Sequence, residues 1–320
     1  MKLYASLVLV ALGCQGASGE PVPMTQVFSG IDSYDAIAVR DGVVYAEILG
    51  AGVVSCPIAG CQIPSSVASS ESFVSGALGA PISYAAQVAD LDGVTGELHV
   101  IDGAGDHALA TNLVYPSWVA TAGARTFVAE DSFGYDDTPA TIDCAGCTDE
   151  QSKVTPWISG FGGGTYGMLA DASNVYVLAD DAVLGSVQLV ACSVLHPCYS
   201  EPRVVLDGLD PTITAQQIAS DGSAVYVARA KKADVVRVDP SGAMTRILTT
   251  TNATAIAWDA ASGSLYFGTL SGNVGRVKND GLLPVIFAHS DTAIGAIAVD
   301  DTTVYVVTGD NASVVMKTAK

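Results

Sequence analysis

One short layout recurs six times in this chain, and an internal repeat constrains a fold more than any composition does. The copies are "AIAVRDGVVYAE" at 36–47, "WVATAGARTFVAE" at 118–130, "MLADASNVYVLA" at 168–179, "QIASDGSAVYVAR" at 217–229, "AIAWDAASGSLYFG" at 255–268 and "AIAVDDTTVYVVT" at 296–308. Each runs from an apolar residue and an Ala through a polar turn to an aromatic set among β-formers. The Ala stands at Ala38, Ala120, Ala170, Ala219, Ala257 and Ala298, the aromatic at Tyr45, Phe127, Tyr176, Tyr226, Tyr266 and Tyr305. Apolar runs on either side of an Asp- or Gly-bearing turn read as two paired strands.

Successive Ala positions lie 82, 50, 49, 38 and 41 residues apart. The first interval is twice 41, so a seventh copy is expected inside it. "QVADLDGVTGELHVID" at 87–102 fits, with Ala89 in the Ala place and His99 in the aromatic place. Too few residues follow before Ala120 for a full four-stranded unit, so this copy is degenerate. Periods of about 40–45 residues with four strands per unit belong to propeller blades. The expected fold is all-β, a seven-bladed β-propeller, with six blades as the runner-up.

Later strands recur as well. Third strands read "GVVSC", "ATIDC", "SVQLVAC", "DVVRV", "NVGRV" and "SVVMK"; fourth strands read "WISG", "RVVLDG", "TRILTT" and "PVIFAHS". The last copy has no fourth strand after it, whereas "TQVFSG" at 25–30 stands ahead of the first copy. The N-terminal strand is therefore expected to complete the last blade, closing the ring and pairing an open sheet edge. The recurring Ala leaves room where inner strands converge. The recurring aromatics are expected to pack between neighbouring sheets rather than to cage a ligand.

Repeats of the form "IAVDDTTVY" at 297–305 and "GVVSCPIAGC" at 52–61 resemble those of secreted bacterial propeller lipoproteins, of a kind common in myxobacteria-like predators. The blade style is similar to that of NHL, YVTN and TolB-like propellers. The resemblance runs over about residues 25–319 and implies an architecture and an exported life. It assigns no activity, because a fold of this kind hosts unrelated functions.

The N-terminus supports export. Met1-Lys2 precedes the apolar "LYASLVLVAL", a run too short to span a bilayer and typical of a secretory signal. "ALGC" at 11–14 resembles a bacterial lipobox, with Ala11 where Leu is usual. The resemblance implies acyl chains on Cys14, and two or more such chains hold stably where one does not. Gln15 in place of Asp points past the inner membrane. An ordinary secretory cleavage also fits Ala11 and Gly13. The expected organisation is a signal peptide over 1–13, a lipidated Cys and tether over 14–23, and a propeller over 24–320, located at the outer membrane or cell surface, or else periplasmic or secreted.

Charge bounds the partners. Fourteen Lys and Arg against thirty-three acids leave a formal charge of −19, which excludes a nucleic-acid partner. The expected partner is a protein or a glycan, and the membrane is touched through the lipid anchor alone. The basic stretch Arg229–Lys232 reads as a solvated hairpin tip.

Besides Cys14, six cysteines form three close pairs, each after a third strand. In an exported chain, local pairs read as disulfides, here Cys56–Cys61, Cys144–Cys147 and Cys192–Cys198. Two readings compete: a C-x-x-C redox site at Cys144 and Cys147, and zinc on the four cysteines of the third and fourth units. Redox cysteines sit at helix N-termini, and zinc ligands must converge, whereas these turns lie on separate blades.

Other chemistry is sparse. Asp90, Asp92 and Glu97 in "DLDGVTGE" offer hard oxygens to calcium, although the EF-hand spacing is missing. The acidic loop "EDSFGYDD" at 130–137 is similar, and both also read as solvated hairpin tips. No other cofactor is expected. The four His are dispersed, and "GFGGGTYG" at 160–167 precedes a strand, so phosphate-cradling geometry fails. Two functions remain: a non-enzymatic envelope scaffold that binds a partner, and a propeller enzyme (lactonase, lyase or dehydrogenase-like) with its site at the central channel.

Overall fold

The computed structural model describes residues 21–31, 34–48, 52–68, 74–75, 82–89, 94–102, 105–114, 116–123, 125–130, 140–143, 155–158, 164–180, 186–199, 201–210, 212–214, 217–249, 252–278, 283–309 and 313–320. The fold is an all-β propeller. The first strand, β1 (Thr25–Ile31), belongs to the last sheet. The first sheet holds β2 (Tyr34–Arg40), β3 (Val43–Ile48), β4 (Gly52–Pro57) and β5 (Ser65–Ala68). The second holds β6 (Val74–Ser75), β7 (Ile82–Ala89), β8 (Val94–Asp102) and β9 (Gly105–Val114). The third holds β10 (Pro116–Ala122), β11 (Arg125–Glu130), β12 (Ala140–Asp143) and β13 (Thr155–Ile158). The fourth holds β14 (Thr165–Ala170), β15 (Asn174–Asp180), β16 (Val187–Ser193) and β17 (Arg203–Leu209). The fifth holds β18 (Ile218–Ser220), β19 (Val225–Arg229), β20 (Asp234–Val238) and β21 (Met244–Thr249). The sixth holds β22 (Ala253–Asp259), β23 (Ser264–Thr269), β24 (Asn273–Lys278) and β25 (Val285–His289). The last holds β26 (Ile294–Val299), β27 (Thr303–Thr308) and β28 (Ser313–Ala319), with β1 outside them.

The N-terminal strand closes the ring as the sequence implied. β1 runs antiparallel to β28, with Thr25 opposite Lys317 and Phe28 opposite Val315. Phe28 is fully buried, in a cluster with Ile37 and Val44 of the first sheet and Tyr305 and Val307 of the last. The closing strand thus joins two sheets by side-chain burial as well as by its ladder.

Six of the sheets carry the regular layout; the second departs from it. Its β6 is two residues long and meets β7 only at Val74↔Ala86 and Ser75↔Ala85. β7 makes the main contact with β10 of the next sheet, the place that first strands take elsewhere. The main expectation of seven blades is corrected accordingly and the runner-up of six stands: six blades are regular, and the remaining sheet, the copy read as degenerate, is reduced to three long strands and a remnant. The placing of Ala89 is corrected too. In five of the six regular sheets Ala and aromatic sit directly opposite, as at Ala38↔Tyr45, Ala219↔Tyr226 and Ala298↔Tyr305, while in the fourth Tyr176 is opposite Leu169 and Ala170 opposite Val175. In β7–β8 the partner of His99 is Tyr84, while Ala89 faces Val94 beside the turn. The long β7–β8 ladder moves the turn away from the paired aromatic positions.

The repeated aromatics pack between sheets. Tyr176 lies in a cluster with Ile218 and Val225 of the fifth sheet, Tyr226 with Ala253 and Ile256 of the sixth, and Tyr266 with Ile294 and Ile297 of the last. All three rings are buried. Each large ring fills the wedge between one twisted sheet and the next, which is why the aromatic recurs with the blade.

Two of the three expected disulfides are present, Cys56–Cys61 and Cys192–Cys198, each at the turn from third to fourth strand. Cys144, Cys147 and Cys14 lie outside the described residues. Gly60 shows why the first loop carries a glycine. Its φ is +106°, and an added Cβ would come 3.3 Å from the Val27 carbonyl oxygen of β1.

Candidate functional site

A cavity of about 290 Å³ opens between the fourth and fifth sheets. One wall is the end of β17 and the connection from it to β18. The other is the end of β19 and a single 3₁₀ turn, Ala230–Lys232, which leads into β20. Strand order places connections between sheets on the same face as second-to-third-strand turns, so the cavity lies on that face of the disc.

The connection is shaped by its own polar residues. The Asp210 carboxylate accepts from the Thr212 backbone N–H at 2.9 Å and from the Thr212 hydroxyl at 2.7 Å, a side-chain-closed turn. Buried Gln217 ties the connection to β19: its Oε1 accepts from Thr214 N–H at 3.1 Å and its Nε2 donates to the Ala228 carbonyl at 3.3 Å. Leu209 and Ile213 point into the core between the sheets. The cavity floor is therefore an extension of that core, apolar and held in shape.

The opposite wall is basic. Arg229 makes a two-pronged contact with buried Asp234, Nε to Oδ1 at 2.8 Å and Nη2 to Oδ2 at 2.6 Å. Arg246 reaches the same carboxylate at 3.2 Å. Lys231 pairs with Asp210 across the mouth. The ammonium there, with the Thr212 donors, holds the Asp210 carboxyl down to about 2. Lys232 makes no ion pair among the described residues. The lining thus carries three cations against one acid, on a chain whose formal charge is −19. The stretch read from sequence as a solvated hairpin tip is the β19–β20 turn with both lysines exposed, and it also forms one wall of a cavity. Its signal was there, three basic residues within four in an acidic chain, but Asp210, the partner of Lys231, sits on a connection from another sheet.

The reduced second sheet gathers a polar group. His99 of β8 has Nδ1 3.1 Å from Asp106 Oδ1 and Nε2 2.9 Å from Glu97 Oε2. Its ring stacks on Tyr84, centroids 4.9 Å apart, and the Tyr84 hydroxyl donates to Asp106 Oδ2 at 2.8 Å. Burial, then the Asp106 bond, pushes the Tyr84 phenol well up. Of the expected calcium ligands, Glu97 therefore faces His99 from mid-strand, and Asp90 and Asp92 lie outside the described residues. Among the described residues no group of three His, Cys, Asp or Glu is arranged to hold a metal ion.

No protein-family model matches the chain, and no curated protein does. Solved structures do. A streptogramin B lyase aligns with a TM-score of 0.61 at 10% identity, over 94% of this chain and 98% of that one. A catalytically inactive His-to-Ala variant of virginiamycin B lyase from Staphylococcus aureus, with quinupristin, aligns with a TM-score of 0.62 at 12% identity, over 93% and 98%. A puromycin hydrolase aligns with a TM-score of 0.63 at 12% identity, over 88% of this chain and 51% of that one, so the present chain spans about half of it. At such identities the likeness is one of fold.

Proposed function

We propose that this chain is a non-enzymatic binding propeller of the cell envelope, exported, carried on acyl chains at Cys14, with its binding site at the cavity between the fourth and fifth sheets. The carrying observation is the cavity itself: an apolar floor continuous with the core, a connection locked by Asp210 and Gln217, and a basic rim. Sites for ligands take this form, an apolar concavity with a few fixed polar groups. The two disulfides support export, since such bonds persist in oxidising compartments.

The test is cross-linking of intact cells, membrane extraction and mass spectrometry, run in parallel with Ala230→Trp, which fills the mouth. A stoichiometric partner captured by the wild type and lost from Ala230→Trp supports the reading. Capture that ignores the filled cavity, or a variant Cys14→Ser that stays membrane-bound, speaks against the site or the anchor respectively.

One observation favours a second reading, a propeller enzyme. His99 is held at both ring nitrogens and stacked on Tyr84, an orientation suited to moving a proton. Its test is turnover of quinupristin by the wild type and by His99→Ala. No turnover, or turnover kept by the variant, removes this reading.

A further inference from the structure

We infer that the cavity takes a small organic anion, a carboxylate with a short apolar body; this rests on reading the cavity as the binding site and names what enters it. The apolar body follows from the floor. Leu209, Ile213 and Ala228 offer no polar atom of their side chains, and the amide of Gln217 is already engaged on both sides. A sugar, hydroxylated all round, would leave its groups unpaired there. The size follows from the volume, about 290 Å³, at the small end of the range for ligand sites.

The negative charge follows from the rim. Lining charges are Arg229, Lys231 and Lys232 against Asp210. Arg229 is fixed by Asp234, and its remaining Nη1 lies 3.5 Å from the Met244 sulfur. Lys231 is matched by Asp210. Lys232 is left over. Asp210, already matched, has no call on a ligand cation, so the uncompensated charge of the lining is positive. A polyanion would meet the field of a chain at −19; a single carboxylate on one rim meets the local charge alone. The apolar body then lies inward and the carboxylate stands at the mouth, where Lys232 donates to it.

The experiment is titration calorimetry on the purified full-length protein with octanoate and with octan-1-ol, which share an apolar body and differ in charge. Octanoate is expected to bind one per chain, about tenfold or more tighter than octanol, the factor that one charge-assisted hydrogen bond supplies. Its affinity should fall with salt. Lys232→Glu should weaken octanoate about tenfold and leave octanol unchanged, while Lys278→Glu on the exposed end of β24 should alter neither. Equal binding of the two probes, with both lost in Ala230→Trp, overturns the anion and leaves the cavity as a binding site. Absence of binding by either probe overturns the inference, and partner capture unaffected by Ala230→Trp overturns the underlying reading with it.

Discussion

The backbone N–H of Cys198 donates to the carbonyl of Trp157 at 3.1 Å, so a disulfide loop of the fourth sheet grips the outer strand of the third. The same relation recurs at the ring closure, where Cys61 N–H donates to the Val27 carbonyl of β1 at 3.0 Å. Each loop thus braces its own hairpin and the seam before it. Around the first grip, Trp157 Nε1 donates to the Ser193 carbonyl at 2.8 Å, and the Arg125 guanidinium lies 4.5 Å from the Trp157 ring centroid.

Removing a brace should therefore cost more than its own loop entropy. Closing a loop this short contributes about 2 kcal/mol in the chain-entropy model. Cys192→Ala with Cys198→Ala is expected to exceed that in urea unfolding, and to raise hydrogen exchange at Trp157 and its neighbours in β13. A loss at or below 2 kcal/mol with β13 protection unchanged would show that the loop serves its own hairpin alone.

Ring closure offers a second test. Phe28 is completely buried between the first and last sheets, so Phe28→Ala leaves a cavity in a seam that holds both ends of the chain together. A cost of about 3–5 kcal/mol is expected. Thr25→Ala, on the exposed end of the same strand, should cost less than about 0.5 kcal/mol. Similar values for the two would mean that β1 is dispensable to the ring.

The architecture was legible because it is periodic. Ala219, Tyr226 and their counterparts repeat with the blade, and "TQVFSG" could be matched to a missing fourth strand by counting. Close cysteine pairs were legible for the same reason, being local. The binding cavity was not, since Lys231 and Asp210 meet across a connection and no spacing along the chain announces it. Nor was the Tyr84–His99 pair, because the reduced second sheet keeps a longer hairpin than its siblings. One local signal was overlooked. In "DGSAVY" and "DDTTVY" an Asp stands five residues before the repeated Tyr, and the structure joins them.

That junction is testable. The Asp221 carboxylate accepts from Ser223 N–H and Ala224 N–H at 2.7 Å each, and from the Tyr226 hydroxyl at 2.7 Å. Asp300 repeats this with Thr302, Thr303 and Tyr305. Tyr226→Phe removes one donor from a carboxylate that has little water and should cost about 1–3 kcal/mol. Tyr266 is the internal control. Its hydroxyl has no hydrogen-bond partner among the described residues, so Tyr266→Phe should cost less than about 0.5 kcal/mol. Equal costs would deny the Asp–Tyr bond any net worth.

The same motif sets the pH range. Burial would raise the Asp221 and Asp300 carboxyls, but the hydroxyl and amide donors outweigh it and hold both below the ordinary value. A carboxyl depressed on folding stabilises above its unfolded value, near 3.9, and that stability fades as pH falls through the lower folded value. Burial first, then the nearby Asp, pushes the Tyr176 and Tyr305 phenols up to about 12. A phenol raised on folding stabilises fully below about pH 10 and loses that as pH climbs through its folded value. The urea midpoint should be level between these limits, fall below about pH 4, and fall again from about pH 10 to 12. Tyr305→Phe should flatten the alkaline limb; an unchanged limb would place the titrating group elsewhere.

The sixth sheet shows what replaces the motif when its turn is longer. Two additional residues between Asp259 and Tyr266 take the hydroxyl out of reach, and Lys320 supplies the missing donor. Its Nζ lies 2.6 Å from Asp259 Oδ2 and 5.6 Å from the Tyr266 ring centroid. Both side chains of this pair are about nine-tenths buried, 10% and 8% exposed. Breaking a buried pair strands the remaining charge, so Lys320→Met is expected to cost about 3 kcal/mol. Adding Asp259→Asn should recover much of that, because the stranded carboxylate is gone. The Lys231–Asp210 pair is the contrast. Lys231 is 72% exposed, and Lys231→Met should cost less than about 1 kcal/mol. Urea midpoints of the three variants decide the point. A loss at Lys320 no larger than that at Lys231 would mean that Asp259 is served well enough by the Ser262 hydroxyl and the Ala261 amide.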